Sequence, residues 1–226
     1  MQREIQVTAD GSHTIAIPEM KVTYHSHHGA IDESMHVYIK AGLHTLLSNP
    51  QPITPLSILE IGFGTGLNAL LSLREANTRQ QHIQYTAIEP FPLSSTEIAQ
   101  INHGNLLSLQ EDFLHIHQAN WEQDVIINKY FSIKKMNRKL SQPLNISAVN
   151  CIYFDAFSPT VQPELWTKAV FEEMNQLLVT GGILVTYCSK TVVRKAMEAA
   201  GFTVAKIPGP YGKRDIVRAE KRNKMS

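Results

Sequence analysis

The stretch Leu56-Ser57-Ile58-Leu59-Glu60-Ile61-Gly62-Phe63-Gly64-Thr65-Gly66-Leu67-Asn68 constrains the fold more than any other part of the chain. Leu56 to Ile61 is an apolar, partly β-branched run of the kind that fills the centre of a parallel sheet. Three glycines at alternate positions follow. They let the backbone turn sharply and approach a ligand with no Cβ in the way. From Asn68 to Arg74 leucines recur at helical spacing. Strand, glycine turn and helix in that order make a binding turn, and its spacing excludes two common kinds. A dinucleotide fingerprint needs Gly-x-Gly-x-x-Gly, which fails here because Leu67 follows Gly66. A phosphate loop needs Gly-Lys-Ser/Thr, and the turn holds no lysine.

What remains, Glu60-x-Gly62-x-Gly64-x-Gly66, resembles motif I of the class I S-adenosylmethionine methyltransferases. The rest of the chain decides between that and a turn that is merely tight. Its 226 residues suffice for one α/β domain with a substantial core. No apolar run approaches membrane-spanning length, so no membrane partner is expected. The polar start, Met1-Gln2-Arg3-Glu4, is strand-like rather than a signal peptide. Cys151 and Cys188 sit in apolar runs and are expected as buried thiols of a reducing, cytoplasmic compartment.

A net charge of +1 does not announce nucleic acid, but the charge is unevenly spread. Lys206 to Ser226 holds seven Lys/Arg against two acids, whereas the first 205 residues hold fourteen against eighteen. A second basic group comprises Lys129, Lys134, Lys135, Arg138 and Lys139. Such clusters can contact phosphates; from charge alone, a solvated surface and a frayed tail explain them better.

Alternation of Ile5–Ala9 and His13–Ile17 around Asp10-Gly11 predicts a hairpin within residues 4–24. A polar, histidine-rich loop leads to a helix from Asp32, with Met35, Val37, Tyr38, Ile39, Leu43, Leu46 and Leu47 as its apolar face. His25, His27, His28, His36 and His44 match no zinc spacing, so surface histidines and no metal are expected. Ile83–Glu89 is a second strand ending in an acid that suits a ribose diol. Beyond a helix from Ser94 to Gln100, residues 102–114 supply Glu111 and Asp112, either of which suits an adenine edge. Residues 118–146 show no clear period and read as a long connection, with room for a short helix or strand pair. Val149–Asp155 is a buried strand ending in an acid. A helix starts at Pro163-Glu164-Leu165-Trp166, runs past Leu178 and ends at Gly181-Gly182. Strand Ile183–Cys188, helix Thr191–Ala200 and an antiparallel pair, Phe202–Ile207 with Asp215–Ala219, complete the chain. The alternation predicts a doubly wound α/β sheet, with Glu60, Glu89 and Asp155 near its ligand-binding edge.

A narrower likeness lies in four blocks. They are Tyr24-x-Ser26…Gly29…Glu33-Ser34-x-His36-Val37-Tyr38, Leu59 to Asn68, Asp155-Ala156-Phe157-Ser158-Pro159…Pro163-Glu164-Leu165-Trp166, and Gly212-Lys213-Arg214. Together they resemble the methyltransferase domain of the MnmC/MnmD family from about Tyr24 to Val217. The resemblance implies a Rossmann-like class I methyltransferase, α/β with a mostly parallel sheet, a C-terminal antiparallel pair and an N-terminal hairpin. It implies one domain over 1–226, with residues 1–50 as hairpin and helix extension and 51–226 as core. It also implies S-adenosylmethionine as donor and the primary amine of 5-aminomethyl-(2-thio)uridine at the tRNA wobble position as acceptor. Tyr24, Ser26, Glu33, Glu60, Gly62, Gly64, Gly66, Asn68, Glu89, Asp112 and Asp155 are the expected donor-binding residues. Lys213 and Arg214 are the expected RNA contacts, and the tRNA anticodon loop is the expected partner. A separate oxidase, or the enzyme supplying the aminomethyl intermediate, is a further one. The FAD-dependent oxidase part of some members has no counterpart in these residues, so methyl transfer alone is expected.

Asp155 and Phe157 are the expected catalytic pair. Asp155 at the crevice can orient the amine and take its proton, or be only a strand-end cap. Phe157 can stack on an unpaired base, or belong to the core; Trp166 reads as packing. Two rival classes use the same residues: a small-molecule amine methyltransferase and a non-catalytic nucleotide-binding module.

Overall fold

The computed structural model describes residues 2–48, 53–210 and 215–222. The hairpin forms from β1 (Glu4–Val7) and β2 (His13–Ile17), and β3 (Val22–Thr23) adds to it with Val22 opposite Ile17. Asp10 closes the turn, its carboxylate accepting from the Ser12 N–H at 3.0 Å and the Asp32 N–H at 3.1 Å. The second bond ties the hairpin to the helix that follows. That helix is α1 (Ala30–Ser34), continued by a π-helical stretch, Met35–Leu43, and then by α2 (His44–Leu47).

The glycine turn joins β4 (Leu56–Ile61) to α3 (Leu67–Arg79), and β5 (Ile83–Ile88) follows. Then come α4 (Ser95–Ile98), α5 (His103–Leu106) and α6 (Gln110–Gln118), and the strand pair β6 (Asp124–Asn128) and β7 (Phe131–Met136). After β8 (Val149–Phe154) come α7 (Lys168–Leu177), β9 (Leu178–Thr186), α8 (Thr191–Ala199), β10 (Phe202–Pro208) and β11 (Asp215–Lys221). One sheet runs in the order β10-β11-β9-β8-β4-β5-β7-β6. Its five central strands other than the edges, β9, β8, β4, β5 and β7, are parallel; β6 opposes β7, and β11 opposes both β9 and β10.

Successive strand residues face opposite sides, and both sides are covered. Ile58, Cys151, Tyr153 and Val185 pack beneath Tyr38, Leu43 and Leu70, on the side of the π-helical stretch and α3. Leu59, Ile152, Phe154 and Leu184 pack against Phe171 and Met174 of α7 and Val193 and Met197 of α8. This is why the central strands are apolar throughout rather than alternating.

One element settles a reading the sequence left open, and one differs from expectation. Residues 118–146 contain a strand pair, and β7 lies inside the sheet against β5, Phe131 opposite Ile83. The lysines obscured it, because Lys135 is buried at 1% exposure with Nζ donating to the His117 carbonyl at 2.6 Å. The helix after Pro163 ends at Leu177, and Leu178 begins β9 opposite Val149. Gly181-Gly182 thus lies within the strand, where the register shifts between Val149 and Cys151.

Ile58 is fully buried and Ile126 is 81% exposed. Ile58→Ala is expected to lower unfolding stability by about 2–5 kcal/mol in urea titrations, and Ile126→Ala to change it by no more than about 0.5 kcal/mol.

Candidate active site

A cavity of about 650 Å³ opens at the carboxyl ends of β4, β5 and β8. Chain order reverses there: β5 lies on one side of β4, and β8 on the other. That is where open α/β sheets bind ligands. The glycine turn forms its floor. Gly62 (φ 93°) and Gly64 (φ 50°) hold backbone that side chains disfavour. A Cβ on Gly62 would lie 2.7 Å from the Asp155 carbonyl oxygen, and one on Gly64 3.1 Å from the Tyr24 ring. Two histidines clasp the turn from behind. His117 of α6 places Nε2 3.1 Å from the Thr65 carbonyl oxygen, and His103 of α5 places Nε2 3.2 Å from Thr65 Oγ1. Burial lowers both imidazoles, His117 to about 4, so both are neutral near pH 7.

Glu89 follows β5. Its Oε2 accepts from the Gly64 N–H at 3.0 Å and its Oε1 from the Phe91 N–H at 2.8 Å. Burial raises its pKa and these two donors oppose the rise. Asp155 follows β8. Its Oδ1 accepts from the Tyr38 hydroxyl at 2.5 Å and its Oδ2 from Asn68 Nδ2 at 2.9 Å. The same amide donates to Glu60 Oε1 at 2.9 Å. Burial pushes Asp155 up to about 7 against the pull of both donors. Glu60, with no exposure, is held well above the usual carboxylate range, first by burial and then by the charge of Asp155. Enclosure thus favours the protonated form of Glu60, while Asp155 titrates near 7, two carboxyls set apart by two environments.

Tyr24 meets Phe157 edge-on, ring centroids 5.3 Å apart. The Phe157 N–H donates to Gln162 Oε1 at 3.0 Å, and its carbonyl accepts from Trp166 Nε1 at 2.7 Å. Trp166 is thus both packing and a brace for this loop. Tyr187 donates to the Ala156 carbonyl at 2.9 Å, and the Ser26 N–H donates to Glu33 Oε2 at 2.8 Å.

Of the expected residues, Tyr24, Ser26, Glu33, Gly62, Gly64, Asn68, Glu89, Asp155 and Phe157 line the cavity. Glu60 lies behind Asn68, and Gly66 lies behind the turn, against His117. Asp112 does not line the cavity, and neither does Glu111. No residue of α6 lines it: the helix packs behind the glycine turn, with His117 on the Thr65 carbonyl and Phe113 and Ile116 in the core. Lys213 and Arg214 lie outside the described residues. Lys139, Leu140 and Ser141 of the loop after β7, with Arg3 and Tyr187, line the cavity unannounced by any motif. Tyr38 stood in the first family-like block but was given no role there, and the signal for Tyr187 was a hydroxyl in an apolar run.

The basic group in 129–139 is divided in space. Lys134 pairs with Asp124 at 3.4 Å, Arg138 pairs with Glu122, and Lys129 lies over the Tyr130 ring. Lys135 is buried and Lys139 faces the cavity. His25, expected at the surface, is 9% exposed beside His103. It sits where the loop after β3 folds back on β2, its N–H donating to Thr14 Oγ1 at 2.9 Å. Among the described residues no group of three or more His, Cys, Asp or Glu is placed to hold a metal ion, and no helix is long and apolar enough to cross a membrane.

The site fits an adenosyl sulfonium donor. The glycine cradle has no room for side chains, and the Glu89 carboxylate keeps lone pairs for a ribose diol. Asn68, which lines the cavity, holds a buried Oδ1 with no hydrogen-bond partner. The chain belongs to a family of S-adenosyl-L-methionine-dependent methyltransferases, whose family model matches residues 97–222. S-adenosylmethionine is its methyl donor.

The chain is also similar to the tRNA 5-methylaminomethyl-2-thiouridine biosynthesis bifunctional protein MnmC of Leptospira interrogans. Identity is 30% over 205 residues, covering 86% of this chain and 32% of that protein. The protein of the same name from Cupriavidus metallidurans is 28% identical over 217 residues, covering 89% and 32%. Among solved structures, MNMC2 from Aquifex aeolicus superposes with a TM-score of 0.75 at 25% identity, covering 96% of this chain and 70% of that one. The chain spans about a third of the length of the curated relatives it matches.

Glu60 yields a pH test. Its folded pKa is raised above 4.5, so the stability linked to it is fully present below that value and is lost as pH rises. Glu60→Gln has no such loss. The Tm difference between variant and wild type should move in the variant's favour from pH 5 to pH 8; a difference constant with pH would mean that Glu60 is not held protonated.

Proposed function

We propose that this chain methylates the primary amine of 5-aminomethyl-(2-thio)uridine at the tRNA wobble position, giving 5-methylaminomethyl-(2-thio)uridine. The observation that carries the reading is Asp155: a half-buried carboxylate held by two donors in the lining of a methyl-donor cavity, titrating near neutrality. The names of the relatives, and the block from Asp155 to Trp166, support this acceptor over other amines.

The residue roles follow from their positions. Tyr24, Ser26, Glu33, the glycine turn, Asn68 and Glu89 hold the donor, and Glu60 acts through Asn68. When bound, S-adenosylmethionine supplies a sulfonium methyl: the amine nitrogen forms the new N–C bond as the C–S bond breaks, and that electron pair goes to sulfur. Such a reaction needs alignment and a neutral amine more than it needs activation. Asp155 accepts a hydrogen bond from the amine, orients its lone pair and takes the proton. Phe157, braced by Gln162 and Trp166, offers its ring to an unpaired base of the anticodon loop. Lys213 and Arg214 contact phosphate, and Lys139 adds a cation at the cavity. The hairpin and helix extension belong to the same methyltransferase unit as the sheet. The reaction belongs in the cytoplasm, downstream of the enzyme or separate oxidase that supplies the aminomethyl group.

The test uses methyl-labelled donor and tRNA lacking this methylation step. Label should appear in the modified wobble nucleoside. Label in a small free amine instead, or in nothing, would remove the tRNA reading. kcat/KM should climb with pH through about 7 as Asp155 ionises. Asp155→Asn should lose about 10²–10⁴ in kcat, and full activity in that variant would take Asp155 out of the mechanism.

A further inference from the structure

The hydroxyl of Tyr38 has no part in the roles above. The residue stands in an apolar run of the helix extension and is 1% exposed. Its ring packs on Tyr153, centroids 5.3 Å apart, and packing alone would be served as well by phenylalanine. Yet the hydroxyl donates to Asp155 Oδ1 at 2.5 Å, across 117 residues of sequence. The helical stretch that delivers it, Met35–Leu43, is π-helical. That form is rare and is enriched at functional sites.

The second oxygen of Asp155 is held by Asn68, from α3. Two donors on two separate elements therefore bind one carboxylate, one on each oxygen. A carboxylate has about four lone-pair sites, so each oxygen keeps one, on a residue that lines the cavity. The other titratable groups near Asp155 are Glu60 of β4, Tyr85 of β5 and Tyr187 just after β9. None of them is a cation, and among the described residues the Tyr38 and Asn68 bonds are what favour the ionised form of Asp155.

We propose that Tyr38 is a positioning residue for the acceptor amine: its hydroxyl and the Asn68 amide together set the plane of the Asp155 carboxylate, so that the remaining lone pairs meet the amine in the cavity. This rests on the amine-methylation reading above and deepens it. The proton passes from the amine nitrogen to Asp155 and then to solvent. Tyr38 keeps its own proton throughout, because burial and the neighbouring carboxylate hold its pKa well above the ordinary phenol value.

Tyr38→Phe keeps the ring and deletes the bond. Two measurements test it. In the first, the Asp155 side-chain carboxyl is titrated by ¹³C NMR, its signal identified by its absence in Asp155→Asn. The midpoint, about 7 in the wild type, should rise by about one unit in Tyr38→Phe. An unchanged midpoint overturns the proposal. In the second, methyl transfer to tRNA is followed against pH. kcat should fall about fivefold at pH 7, the loss shrinking toward pH 9, with KM for the donor unchanged. An equal loss at every pH would mean that the hydroxyl serves structure only, and would equally overturn the proposal. Should the wild type fail to label tRNA, the substrate reading falls by itself, and the carboxyl titration still decides the role of Tyr38.

Discussion

A single side-chain amide links the parts of this site. Asn68 Nδ2 donates to Glu60 at the end of β4 and to Asp155 beyond β8. Two carboxyl groups so close oppose each other's ionisation. The amide serves both alike, and their surroundings set them apart: Glu60, fully enclosed, is pushed well above the usual carboxylate range, and Asp155, which lines the cavity and also holds the Tyr38 hydroxyl, titrates near neutrality. The strands carrying these acids lie side by side because the chain crosses over at β4. The sheet order thus brings a donor-site strand and the candidate base together.

The glycine turn depends on what presses against it. Asp155 and Tyr24 crowd it from the front and His117 from behind, so three residues far apart in sequence leave no space for a Cβ. His103 and His117, neutral through burial, grip Thr65 without placing a charge beside the donor cavity. The N-terminal part completes the cavity. Asp10 ties hairpin to helix, and Arg3 donates to the Phe91 carbonyl at 2.7 Å, steadying the loop after Glu89. A hairpin that a bare sheet would not require thus supplies a wall of the site.

The basic residues show what composition leaves open. By charge alone Lys134, Lys135 and Arg138 read best as a solvated surface; Lys134 and Arg138 pair with acids, but Lys135 is buried on a carbonyl oxygen between Trp121 and Phe63. Lys135 also hid β7, since a charged residue inside a strand breaks the apolar pattern by which buried strands are found. The same limit applies to Asp112: α6 packs behind the glycine turn, and none of its residues lines the cavity.

The amino-acid sequence by itself determined the alternation of strands and helices, the glycine turn, and the acids at strand ends. These are local properties: apolar period, glycine spacing and the residue that closes each strand. Strand ends legible in sequence lie at one edge of a parallel sheet, so Glu89 and Asp155 could be placed at the ligand edge in advance. Tertiary structure alone decided that Glu60 stands behind Asn68 rather than in the cavity. It alone placed Tyr38 on Asp155, Lys139 to Ser141 at the cavity wall, and α6 behind the glycine turn, clear of the cavity. Each of those outcomes depends on contacts between residues dozens of positions apart, and no spacing in the sequence encodes which side chain a buried donor will meet.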